Sequence, residues 1–264
     1  MIKTNLKQKK SIKKTSKKST AISKKQLPKL ILKIFLLLFW VAVSIIASQF
    51  ILYFIMQLFL SADQLSEPLW TAIYNALVYI LALLLIVFVP WKIFKKWRTN
   101  REEIGLKGTP TWIDIGLAPA GLIVYFIIAA IITAIFSMFP WFDASQAQDV
   151  GFNSLFTISD RLIAFIALVV VAPIAEEIIF RGWLYGKLRE HIPGKISSII
   201  ISALLVSVLF GLLHGQWNVG VNVFALSLVL CALREVTGTI YSGILLHMIK
   251  NGIAFYMLYV LNMV

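Results

Sequence analysis

Residues 162–185 read LIAFIALVVVAPIAEEIIFRGWLY, an apolar run whose charges are Glu176, Glu177 and Arg181. A bilayer-spanning helix needs about 20 predominantly apolar residues, and this run meets that length. The chain has 12 acids, and the other ten lie at the ends of apolar segments or in polar loops. An ionised carboxylate at bilayer depth costs about 3 kcal/mol or more, so a pair of them marks a functional site by default.

Further runs of the same kind surround it. Of 264 residues, 59% are hydrophobic and 14% charged, against about 25% charged in a soluble domain. Only helices and closed barrels satisfy the backbone within lipid. The runs here are continuous rather than alternating, so the expected fold is all-α. It is a polytopic transmembrane bundle of about seven spans, six to eight. They fall near residues 34–60, 69–89, 113–138, 162–185, 196–213, 219–233 and 241–263. The sixth is short and flanked by Gly211, Gly215, Gly220, Gly238 and Gly243, the pattern of a re-entrant segment. The chain divides into a basic tail (1–30), N-terminal transmembrane helices (31–150) and a core carrying the polar residues (151–264).

The net charge of +13 is unevenly placed: residues 1–30 hold eleven lysines and no acid. Rich also in Ser, Thr and Gln, this tail reads as a disordered segment that fixes topology and touches anionic lipid. No aromatic or arginine pattern accompanies the lysines, so a nucleic-acid partner is not expected. Basic loops at 90–112, 186–195 and 234–238 alternate with acidic or neutral ones. The alternation predicts an integral membrane protein with a cytoplasmic N-terminus. The Lys- and Ile-rich composition suits a bacterial plasma membrane. Cys231, the lone cysteine, reads as a packing residue.

Two of the three histidines lie in apolar segments: His214 ends LLVSVLFGLLH (204–214), and His247 sits in ILLHMIKN (244–251). His191 falls in the basic turn and reads as a surface residue. Successive helical residues are about 100° apart, so Glu176 and Glu177 are not expected to face one point. Glu177 and Arg181 are i, i+4 in the favourable order, a structural pair. That leaves Glu176 as a candidate general base. His247 and Asn251 share one helix face at i, i+4, as do Phe210 and His214. Lys250 has no evident role. Counted from the basic turns, the depths of Glu176, His214 and His247 do not coincide, and tilt or an irregular fifth span would have to close the gap.

The motifs Glu176-Glu177-x-x-x-Arg181, Phe210-x-x-x-His214 and His247-x-x-x-Asn251 resemble, in order and on successive segments, the EExxxR, FxxxH and HxxxN motifs of the CPBP intramembrane protease family. That family includes CAAX-processing endopeptidases and bacterial relatives linked to bacteriocin maturation and immunity. The resemblance covers roughly residues 150–260, and GLKGTPTW (105–112) is similar to the family's linker. It implies a glutamate-dependent endopeptidase, usually classed as a metalloprotease, acting on a peptide or membrane-protein substrate. Glu176 would activate the attacking water. His214 and His247, with Asn251, would bind a divalent metal, zinc first, or stabilise the oxyanion, and Glu177, Arg181 and Phe210 would be supports. Catalytic zinc usually has three protein ligands, so Glu176 or Asn251 would have to complete the set. Two other readings stand beside this one: a non-proteolytic scaffold or immunity protein of the same fold, and an ion-coupled transporter using Glu176 and His247 as a relay.

Overall fold

A computed structural model describes residues 24–146, 152 and 155–261. Most of the basic tail, Asp149 and residues 262–264 lie outside the described residues. Within them the chain is helical and contains no strand. Eight helices follow in order: α1 (Leu27–Gln57), the short α2 (Ala62–Ser66), α3 (Pro68–Ile93), α4 (Trp112–Phe136), α5 (Ile158–His191), α6 (Lys195–Leu212), α7 (Trp217–Thr237) and α8 (Tyr241–Tyr259). Six of them, α1 and α3–α7, are long and apolar enough to cross a membrane. The 19-residue α8 is the seventh predicted segment, and His247, Lys250 and Asn251 lower its hydropathy.

Local sequence sets the helix ends. Thr111 and Thr157 cap α4 and α5, each side chain accepting from the backbone amide three residues on while its own backbone amide donates to the Asp114 or Asp160 carboxylate. These reciprocal pairs satisfy amides that a helix start leaves open. Helix α1 begins at Leu27, with Pro28 in its first turn, where a missing amide hydrogen costs nothing. Residues 27–30, read as the end of the tail, are therefore its first turn.

Helix α5 is longer than expected. Its 34 residues span about 50 Å at 1.5 Å per residue, beyond the about 30 Å hydrocarbon layer. It absorbs residues 186–191, so the predicted basic turn shrinks to 192–194. Lys187 is buried there and donates to the Arg98 carbonyl (2.8 Å), Glu190 (3.2 Å) and Glu103 (3.4 Å). His191, expected at the surface, is half-buried, with Nδ1 2.7 Å from the Lys187 carbonyl. Two stretches of α5, Ile166–Val171 and Ile178–Leu184, are π-helical. The first ends two residues before Pro173, which lacks an amide hydrogen and crowds the carbonyl four residues back, a recognised cause of such bulges.

Helix α7 is a full 21-residue helix rather than a short or re-entrant segment. It packs between α6 and α4 and also meets α8. Its approach to α6 depends on two glycines: a Cβ on Gly211 would lie 2.8 Å from the Gly220 carbonyl oxygen, and one on Gly220 would lie 2.9 Å from that of Gly211. Gly238 ends α7 in the left-handed conformation (φ +71°), which glycine adopts without strain. The largest apolar cluster joins α1, α3, α5, α6 and α7 through Leu37, Ile86, Trp183, Phe210 and Cys231. A second joins α4, α7 and α8 through Tyr125, Leu230 and Leu246.

Candidate active site

The three polar motifs converge on one cavity of about 220 Å³, walled by α3, α5, α8 and the α6–α7 corner. Glu176, His214, His247, Lys250 and Asn251 line it, with Tyr79 from α3. The predicted depth mismatch is closed. Phe210, on the last turn of α6, sets its ring centroid 4.8 Å from that of His214 and 6.1 Å from that of His247.

The two glutamates do not point at one atom, yet they meet the same ring. Glu177 Oε1 lies 3.1 Å from His247 Nδ1, and Glu176 Oε2 lies 3.7 Å from His247 Nε2. The two carboxylates face different atoms, as the spacing predicts, and the structure adds that those atoms are opposite edges of one imidazole. A rotation of about 100° between neighbours separates two side chains at a point but lets both reach a ring with donors on either side.

Glu177 and Arg181 form the predicted pair, with Arg181 Nη1 2.9 Å from Glu177 Oε1 and both side chains fully buried. Oε1 thus accepts from Arg181 and from His247. The guanidinium also lies over the Phe210 ring, 4.4 Å from its centroid. That contact is favourable for a desolvated cation, and it ties the first motif to the second. Gly243 leaves room for the carboxylate: a Cβ there would sit 3.1 Å from Glu177 Oε2. Cys231 is buried in the adjoining core, as expected.

A backbone carbonyl and a carboxylate fix the two tautomers. His214 Nδ1 lies 2.8 Å from the Phe210 carbonyl oxygen, which only accepts, so that nitrogen carries the hydrogen. His247 Nδ1 faces the Glu177 carboxylate and carries a hydrogen for the same reason. In a neutral ring, Nε2 then presents a lone pair. Asn251 Nδ2 donates to the Leu168 carbonyl (3.0 Å), which leaves its side-chain oxygen as an acceptor. Among the described residues no three His, Cys, Asp or Glu side chains lie close enough to hold a metal ion as they stand.

Two features of the site were not read from the sequence. Tyr79 donates to Glu176 Oε1 at 2.5 Å, and nothing in its apolar surroundings, NALVYILALL (75–84), marks it out. Lys250, left without a role, lines the cavity on the helix that carries His247 and Asn251. Among the described residues it shares that cavity with Glu176 without forming an ion pair to it.

The fold and site define a polytopic helical membrane protein with carboxylates and imidazoles gathered inside the bundle. Residues 158–253 match the family model described as type II CAAX prenyl endopeptidase Rce1-like. The chain is 24% identical over 143 residues to a membrane-embedded CAAX protease, MroQ, of Staphylococcus aureus (strain USA300), covering 53% of this chain and 55% of that protein. It thus spans about half the length of the curated relative it matches. No solved structure matches. Residues 158–253, which carry all three motifs, are thus similar to the CPBP/CAAX protease family.

Proposed function

We propose that this protein is an intramembrane endopeptidase that hydrolyses a peptide bond of a membrane-associated or peptide substrate with a glutamate-activated water. The observation that carries the reading is the cavity shared by Glu176, His214, His247 and Asn251, in which each imidazole has its Nδ1 hydrogen already committed. Glu176 Oε2 takes a proton from water, and the water oxygen attacks the scissile carbonyl. The carboxylic acid so formed returns the proton to the departing amine, and the carbon–nitrogen bond breaks. Glu177 and Arg181 hold the His247 ring in one tautomer, the outer-shell arrangement that orients a ligating histidine.

The donor types fit a divalent metal, zinc by the preference of imidazole. With Nδ1 protonated, neutral His214 and His247 cannot donate from Nε2 to an oxyanion, but each can ligate through it. Asn251 supplies a third donor through its side-chain oxygen and leaves Glu176 free as the base. When bound, the metal would polarise the scissile carbonyl and the water. We place the protein in a bacterial plasma membrane with the N-terminus cytoplasmic. There the basic tail meets anionic lipid and has no nucleic-acid partner.

The test uses purified full-length protein in lipid nanodiscs, with metal content measured alongside cleavage of peptides from its own membranes. Chelation should abolish cleavage and zinc should restore it, while Glu176→Gln keeps the metal and loses the cleavage. Undiminished turnover by Glu176→Gln would remove Glu176 as the base.

A further inference from the structure

Glu176 carries its carboxylate on a side chain with three rotatable bonds, and a base must present one oxygen to water in a fixed direction. Among the described residues, one hydrogen bond holds that carboxylate. It comes from Tyr79 Oη to Oε1, at 2.5 Å. The other oxygen, Oε2, is 3.7 Å from His247 Nε2, beyond hydrogen-bond reach. Tyr79 sits on α3, flanked by the buried Val78 and Ala82, and outside the segment 158–253 that matches the family. A hydroxyl donating to an ionised carboxylate at this distance is a short, charge-assisted bond, among the strongest neutral-to-ion contacts available.

We propose that Tyr79 is a positioning residue for the base: it occupies Oε1, fixes the rotamer of Glu176 and so selects Oε2 as the atom that takes the proton from water. This rests on the endopeptidase reading of the same cavity. It also makes α3 a working part of the site, so that the segment 158–253 alone would lack the group that orients its glutamate.

Four variants of the protein in nanodiscs test it: Tyr79→Phe, Glu176→Gln, the double substitution and, as a control, Tyr74→Phe. The probe is a synthetic peptide spanning a bond mapped from termini that the wild type releases in membranes. Tyr79→Phe keeps the ring, so the thermal midpoint should stay at the wild-type value. It should lower kcat by about 10- to 100-fold with KM unchanged, the scale of a misplaced catalytic group. In the Glu176→Gln background the same change should have no further effect, because there is no base left to orient. Tyr74→Phe removes a hydroxyl from the same helix, one that donates to the Gln49 carbonyl (3.1 Å), and should keep full kcat. Wild-type kcat in Tyr79→Phe beside an inactive Glu176→Gln would overturn this inference and leave the endopeptidase reading standing. So would a loss that follows a lowered thermal midpoint or appears in KM alone. Cleavage by Glu176→Gln would overturn both.

Discussion

His247 Nδ1 lies 3.1 Å from Glu177 Oε1, and this contact joins the first polar motif to the third across the interface of α5 and α8. Arg181 completes it from one turn further along α5. The second glutamate of the motif is therefore the fixed point of the site, fully buried and bonded on one oxygen by two donors.

Replacing Glu177 with Ala should destabilise the fold severely. It leaves the Arg181 guanidinium buried without its carboxylate, a loss of about 3–5 kcal/mol. Reversible unfolding in mixed micelles should show it, and the double substitution with Arg181→Met should recover part of the loss. A midpoint unchanged by Glu177→Ala would mean that the pair is not formed.

Phe210→Ala should cost about 3–5 kcal/mol, the range for a buried aromatic truncated in a core. The ring packs on Phe180 with centroids 4.8 Å apart, lies under the guanidinium and touches both histidines. Phe210→Leu should keep most of the stability but lose the cation contact. Equal stability of the Ala variant and the wild type, measured the same way, would contradict this packing.

Gly182→Ala should lower stability by about 1–3 kcal/mol, as overpacking does. Its Cβ would come within 2.9 Å of the Ile104 carbonyl oxygen, a backbone atom of the loop between α3 and α4. That loop is pinned elsewhere: Ile240 donates its amide to the Gly105 carbonyl (3.1 Å), and Tyr241 donates to that of Gly108 (2.8 Å). Hydrogen exchange in 100–108 should rise in the variant. Protection equal to wild type would show that the loop does not rest on Gly182.

Much of this was legible because membrane helices announce themselves. The continuous apolar runs predict the bundle, and two glutamates in a span point to the segment that lines the candidate cavity. The i, i+4 spacing gave the Glu177–Arg181 pair correctly. The same geometry separates Glu176 from Glu177 but does not show that both reach one ring, since it asks where side chains point and not how large their common partner is. The depth count failed because α5 continues six residues past its expected end, into the predicted turn, with Lys187 buried among acceptors supplied by a distant loop. Tyr79 was invisible for a similar reason. A tyrosine in an apolar run reads as packing until the fold brings a carboxylate 97 positions away to its hydroxyl.

The most direct measurement is a comparison of protein N-termini in membranes expressing wild type and Glu176→Gln at matched levels. New termini that appear with the wild type and are missing with the variant are the predicted result, and they would name the substrate. Identical termini from two folded, equally abundant proteins would contradict proteolysis by this cavity and favour a scaffold that keeps the fold without the chemistry.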